Sequence, residues 1–226
     1  MADLKRKELS LVHRVRAAGA PAEPPDRPPL LILLHGVGSN ELAMASLSDS
    51  FDPRFIVVSA RSPIPLGPFA FAWFNVTFTR NGPIIDAAEA EAAWLRMAQF
   101  IDEAVAAYDA EPRRVFVAGF SQGGIVALAT MLTAPERLAG AVCMSGRLPP
   151  EVLPHIVAPD RLRDKPVLIV HGVNDDVLGV AFARSARTIL GQLPVSLEYH
   201  EFEFGHTTSP ASLAVVSDWL TKRLAG

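Results

Sequence analysis

Val115-Phe116-Val117-Ala118-Gly119-Phe120-Ser121-Gln122-Gly123-Gly124 runs an apolar, β-favouring segment straight into Gly-x-Ser-x-Gly, and a helical pattern begins at once. A bare Gly-x-Ser-x-Gly is a weak pattern whose default reading is a surface turn. The order strand, turn, helix is what a nucleophile elbow needs. In such a turn the chain reverses so sharply that the serine is strained. The residues two before and two after it must then carry almost no side chain. The Ser121 hydroxyl is presented above a sheet, with the positive end of a helix macrodipole behind it.

On either side of this segment, short apolar runs alternate with helix-length periodic stretches. Leu30–Leu34, Phe55–Ser59, Val115–Ala118, Ala141–Met144 and Val167–Val170 are apolar throughout or nearly so. Runs of this kind suit strands of a parallel sheet buried on both faces. Ala87–Tyr108 carries Ala90, Trp94, Met97, Ile101 and Val105 at steps of three and four, and Gln122–Leu132 carries Ile125, Leu128 and Leu132 on one stripe. Ser209-Pro210 reads as the cap and first turn of a last helix, with Leu213, Val216, Leu220 and Leu224 facing inward. Glu8–Val15 and Val195–Phe204 read as flanking strands. The alternation predicts an α/β three-layer sandwich, a mostly parallel central sheet with helices on both faces.

With 226 residues, half of them hydrophobic, the chain is long enough to bury a sizeable core and reads as one domain over residues 1–226. Its net charge of −3, with both signs interspersed, gives no sign of a nucleic-acid groove or a membrane-binding face. Cys143, the single cysteine, sits in the apolar run Gly140–Met144 and reads as an inert core thiol. The N-terminus (Met1 to Glu8) is basic but lacks the apolar stretch of a signal peptide. No run approaches the roughly 18 apolar residues that cross a bilayer. A cytoplasmic protein is expected. Nineteen prolines punctuate the chain: Pro21, Pro24, Pro25, Pro28 and Pro29 stiffen an early connection, and Pro63, Pro65 and Pro68 mark an irregular loop.

Ligands of open α/β sheets bind at the carboxyl ends of the strands. His35 to Ser39, Ser121, His171 to Asp176 and His206 all fall just after a strand. A serine hydroxyl is a poor nucleophile near neutral pH and needs a neighbouring base, usually an imidazole held by a carboxylate. After a nucleophile elbow the acid comes first and the histidine last. His13 and His35 lie too early, and His155 precedes any candidate acid in a proline-rich loop. His171 precedes Asp175, and His200 alternates with Glu198 and Glu201 on a solvated strand face. His206, in Phe204-Gly205-His206-Thr207-Thr208, remains as the base. The acid is expected in His171-Gly172-Val173-Asn174-Asp175-Asp176, where periodicity does not choose between the two aspartates. One of them is expected to serve only the turn. Donors for a developing oxyanion are expected from the backbone N–H of Gln122 and of Val37, in the loop His35-Gly36-Val37-Gly38.

Taken together, Leu34-His35-Gly36-Val37-Gly38-Ser39-Asn40, Gly119-Phe120-Ser121-Gln122-Gly123, His171-Gly172-x-x-Asp175 and Gly205-His206 resemble the phospholipase/carboxylesterase family of small α/β-hydrolases, relatives of the acyl-protein thioesterases. The segment from Arg61 to Pro68, followed by Ala72-Trp73-Phe74, is similar to a bacterial serine-esterase branch. The resemblance implies an α/β-hydrolase fold, assigns the acid to Asp175, and places the oxyanion donors on Val37 and Gln122. It implies hydrolysis of carboxylic esters by Ser121, Asp175 and His206 with no cofactor, on a small-molecule substrate; no metal is expected, because the histidines are scattered and no pair has a ligand spacing such as His-x-x-x-His. It also allows a homodimer, although no surface stripe in the sequence singles out such a face. A thioesterase or lysophospholipase using the same three residues is the alternative, since only the leaving group differs. Val177-Leu178-Gly179 departs from the family's usual Val-Val-Pro and touches a turn. Phe69, Phe71, Trp73, Phe74 and Phe78 fall in a loop beside the strand ends. Trp73 and Phe74 are expected as substrate-binding residues, with Trp73 the preferred wall. No insertion long enough for a large lid follows the central strands, so an open cleft and short acyl chains are expected.

Overall fold

The structure, a computed structural model, describes residues 7–19, 27–79 and 82–224. Pro21, Pro24 and Pro25 lie outside the described residues. In chain order the elements begin with β1 (His13–Arg16), β2 (Leu30–Leu34), α1 (Glu41–Ala45) and β3 (Ile56–Ala60). Four short strands follow: β4 (Ile64–Gly67), β5 (Ala70–Ala72), β6 (Val76–Thr79) and β7 (Gly82–Ile85). Then come α2 (Ala87–Tyr108), β8 (Val115–Phe120), α3 (Gln122–Thr133), β9 (Gly140–Met144), β10 (Pro166–Gly172), α4 (Val180–Leu190), β11 (Ser196–Phe202) and α5 (Pro210–Lys222).

Seven strands form the central sheet in the order β1-β3-β2-β8-β9-β10-β11. Only the β1–β3 pair is antiparallel; the other neighbours run parallel. The period-2 alternation of strand side chains explains the two cores. Leu30, Ile32 and Leu34 of β2 join Val115 and Val117 of β8 on one face, beneath α2, α3 and α4. Leu31 and Leu33 join Phe116 and Ala118 on the other, against Val216, Trp219 and Leu220 of α5. Every residue of β2 is therefore buried, which is why its sequence shows no polar alternation. Cys143 is buried in the first of these cores, and burial pushes its thiol pKa up to about 12.

α2 begins where its cap demands. The Asp86 carboxylate accepts the Glu89 N–H, and the helix ends on Asp109 in the left-handed region at φ 50°. α5 opens with Pro210 behind a reciprocal Ser209–Ser212 capping box. α3 differs from its expected single stripe: Gln122 through Leu132 are buried on every side. It lies against β2, β8 and β9 and is covered by α2 and the segment after β9.

Two parts of the architecture depart from the sequence reading. The helix α4 follows the carboxylate-bearing loop, burying Ala183, Ala186 and Leu190 while Arg184 stays outside. The proline-marked stretch after β3 is not irregular. It folds into two antiparallel hairpins, β4–β5 and β6–β7. Pro65 is accommodated because its hairpin is only two strands wide and its register shifts between Pro65 and Gly67.

Candidate active site

The chain reaches β8 from the far side of the sheet: β3 pairs on one side of β2 and β8 on the other. This reversal opens a crevice at the carboxyl ends of β2 and β8, where α/β sheets bind ligands. Ser121 stands at the end of β8 with φ 52° and ψ −118°, a conformation that L residues rarely adopt. A residue held this way costs of order 1–3 kcal/mol and survives only where its surroundings enforce it. Here the Ser121 N–H donates to the Met144 carbonyl at 2.8 Å, and the Ser121 carbonyl accepts the Ile125 N–H at 3.1 Å. The two elbow glycines are required sterically. A Cβ at Gly119 would run into the Gly123 backbone, and one at Gly123 into the carbonyl of Leu34 on β2. Gly123→Ala is therefore expected to lower stability by about 1–3 kcal/mol. At about 2–4 °C per kcal/mol for a chain of this size, thermal unfolding should start several degrees earlier. An unchanged melting curve would show that α3 does not seat this closely on β2.

The Ser121 hydroxyl donates to His206 Nε2 at 2.9 Å, and His206 Nδ1 donates to Asp175 Oδ2 at 2.7 Å. A carboxylate only accepts, so the imidazole proton sits on Nδ1 and leaves Nε2 free to take the serine proton. Ser121 and Asp175 are each 6% exposed, while His206 is half-buried, so the line reaches the surface only at the imidazole. The Asp175 Oδ1 atom accepts the N–H groups of Val177 at 3.0 Å and Leu178 at 2.7 Å, which fixes the carboxylate plane. Between the two loops, the Asn174 N–H donates to the Phe204 carbonyl at 3.1 Å. That bond ties the segment holding Asp175 to the one holding His206. Asp176 is exposed and makes none of these contacts. The Phe120 ring packs beside the imidazole, centroids 5.0 Å apart.

His171, passed over in the sequence because of its order, lies fully buried under this carboxylate. Its Nε2 donates to the Leu178 carbonyl at 2.7 Å and stands 3.3 Å from Asp175 Oδ2. Burial lowers its pKa, outweighing the opposite pull of the Leu178 carbonyl and Asp175. A neutral imidazole here holds the Leu178 carbonyl beneath the loop and puts no positive charge beside Asp175. Its order in the sequence excludes it as the base, but only its place below the loop shows it to be a support.

The loop after β2 passes directly over the nucleophile, and a methyl added at Gly36 would come within 3.0 Å of Ser121 Cβ. His35 Nδ1 donates to the Gly36 carbonyl at 2.7 Å, while its Nε2 accepts the Ser62 N–H at 3.0 Å. Burial lowers the His35 pKa, so the ring stays neutral in this tautomer. Because a trans peptide points its C=O and N–H in opposite directions, holding the Gly36 carbonyl also aims the Val37 N–H. Among the described residues, neither the Val37 nor the Gln122 N–H donates to another backbone carbonyl. Both remain available to an oxyanion beside Ser121.

A cleft of about 330 Å³, part of it open to solvent, adjoins the serine. Val37, Phe74, Gln122 and Ile125 line it, together with Val76, Pro83 and Ile85 from the β6–β7 hairpin. Phe74 is one of these walls. Trp73 is not: its indole N–H donates to the His35 carbonyl at 2.9 Å, and the buried ring packs beside the His35 ring. The Gln122 side chain clamps both, accepting the Trp73 N–H at 2.7 Å and donating to the Phe74 carbonyl at 2.6 Å. Phe69 is largely exposed, and Phe71 lies under the Arg61 guanidinium. The Phe78 side chain lies outside the described residues. Val177, Leu178 and Arg147 also line the cleft and were missed in the sequence. For Arg147 the signal was present, because it stands three residues beyond β9 at the same sheet edge as the other site residues.

The parallel sheet, the elbow and the hydrogen-bonded serine, histidine and aspartate define an α/β-hydrolase. The chain belongs to the phospholipase/carboxylesterase family, whose sequence profile matches residues 19–224. It is 27% identical over 212 residues to the carboxylesterase SOBER1 of Arabidopsis thaliana, covering 87% of this chain and 91% of that protein. It is 29% identical over 210 residues to a probable inactive carboxylesterase of Oryza sativa subsp. japonica, covering 86% and 84% of the two chains. Among solved structures, the Bacillus cereus carboxylesterase superposes with a TM-score of 0.80 over 95% of both chains, at 23% identity. The fold is shared at that identity, and the family contains a relative described as inactive. Activity in this chain therefore depends on its own residues. No helix among the described residues is long and apolar enough to cross a membrane.

Proposed function

We propose that this hydrolase cleaves carboxylic esters of short acyl chain through a covalent intermediate on Ser121. The observation that carries the reading is the continuous line from Ser121 Oγ through His206 to Asp175, at 2.9 and 2.7 Å. Ser121 Oγ attacks the acyl carbon as its proton passes to His206 Nε2. The charge gathering on the carbonyl oxygen is met by the N–H groups of Val37 and Gln122. Asp175 stabilises the imidazolium and keeps it oriented. The ester C–O bond then breaks, and the alcohol leaves with the proton from His206. Water repeats the sequence: it gives a proton to His206 and adds to the acyl carbon. The C–Oγ bond breaks, the acid departs, and Ser121 recovers its proton.

Cleft size supports the short-chain preference. Most of its 330 Å³ is open to solvent; the room within the walls is only about 30 Å³, and Pro83, Ile85 and Phe74 are among those walls. With nitrophenyl esters of two to twelve carbons, kcat/KM is expected to peak at the short end and fall at least tenfold toward the long end. Each methylene that finds a wall instead of space forfeits its favourable transfer, about 0.8 kcal/mol. A maximum at long chains would refute the assignment of this cleft to the acyl group.

A further inference from the structure

We infer that the buried guanidinium of Arg147 binds a carboxylate at the far end of the substrate, so that this site takes esters whose short apolar arm ends in a negative charge. The inference rests on the esterase reading and names its substrate class.

Arg147 is only 7% exposed and lines the same cleft as Ser121, between apolar walls that include Phe74, Val76, Ile85 and Leu178. Among the described residues no carboxylate forms a salt bridge with it, and its Nε is buried without a hydrogen-bond partner. One terminal NH₂ group reaches the Pro83 carbonyl at 3.5 Å, the outer limit of a hydrogen bond, and the Phe182 ring lies 5.5 Å from the guanidinium carbon. Glu151 favours the charge electrostatically from outside contact distance, while burial lowers the pKa more strongly. A guanidinium does not deprotonate in proteins, so the cleft holds a permanent cation with most of its donors unused.

A buried cation of this kind is costly unless something pairs it. Its forked donors match a carboxylate in two parallel hydrogen bonds, and a single guanidinium balances a single negative charge. A phosphate monoester would leave a second charge facing Val76 and Ile85. The carboxylate must also be separated from the scissile carbonyl, because the groups around Ser121 already serve the oxyanion. A short apolar spacer meets both conditions and fits the walls.

The carboxylate can lie in the acyl or the alcohol part, and two matched pairs distinguish them. Monoethyl glutarate is compared with ethyl hexanoate, and 4-acetoxybutanoate with pentyl acetate, each followed by proton release. The wild-type protein is expected to prefer the charged member of one pair by at least tenfold in kcat/KM. In Arg147→Met the charged-to-neutral ratio should fall by about a hundredfold, the effect of removing one partner of a buried charge pair. Arg147→Lys should recover part of it, keeping charge but losing the fork. A role confined to holding Pro83 and Phe182 in place would lower both members together. Preference for the neutral ester in both pairs, or equal losses in Arg147→Met, overturns the inference. Should Arg147→Met not fold, free glutarate decides. Competitive inhibition of ethyl butyrate hydrolysis in the wild type supports the carboxylate site, and no inhibition overturns it. Failure of a fluorophosphonate to label Ser121 would instead end the esterase reading and this inference with it. With labelling intact, a negative result falls on Arg147 alone.

Discussion

Ser121→Ala is expected to reduce kcat for ester hydrolysis by about 10⁴–10⁶ and to abolish labelling by a fluorophosphonate, while the circular dichroism spectrum stays that of the wild type. The size follows from the mechanism: without Oγ, no acyl-enzyme forms and His206 has no proton to accept. Residual catalysis should come from the Val37 and Gln122 N–H groups, which still stabilise a tetrahedral oxyanion raised by water. Stability should change little. The hydroxyl makes one hydrogen bond, to His206, and such a bond contributes about 0.5–1.5 kcal/mol. Alanine must adopt the same φ of 52°, so the elbow strain is neither relieved nor increased. Turnover within tenfold of wild type in a clean preparation would remove Ser121 from the reaction.

Asp175→Asn tests the tautomer and should cost about 10⁴ in kcat with the fold retained. An asparagine Oδ1 can still accept from the Val177 and Leu178 N–H groups, which turns its NH₂ toward His206 Nδ1. An NH₂ group cannot accept a proton, so the imidazole answers with a bare Nδ1 and carries its hydrogen on Nε2. That nitrogen then faces Ser121 Oγ as a donor and no longer serves as the base. Asp176→Asn, one residue along but exposed, provides the control and should leave kcat/KM within about twofold. Equal losses in the two variants would mean that the loop, and not the carboxylate on His206, is what activity depends on.

The pair Asp175 and Asp176 also shows where the sequence stopped being informative. Both follow a buried strand and both suit a turn, so local chemistry treats them alike; the family likeness pointed to Asp175. In three dimensions only the Asp175 carboxylate meets Val177, Leu178 and His206. The hairpins β4–β5 and β6–β7 were hidden for a different reason. Short strands paired with one another, and outside the hairpins only through the Ser39–Phe71 bridge among the described residues, carry little apolar periodicity, and their prolines read as breaks. α4 has an inward pattern at Ala183, Ala186 and Leu190, but alanines make a weak stripe. Trp73 and Phe74 are both aromatic and both buried, and nothing in their order says which one turns to the cleft.

Buried strands and sharp turns are written in neighbouring residues, because burial on both faces and the absence of a Cβ are local requirements. Leu30–Leu34, the glycines flanking Ser121 and the serine itself could therefore be read directly, along with the order of strand and helix. The cleft is another matter. Its walls include Val37, Phe74, Ile85, Ile125, Arg147 and Leu178, which approach one another only when the sheet is assembled. Whether an arginine there finds a partner depends on distances across the fold, and those are set by packing and not by spacing along the chain.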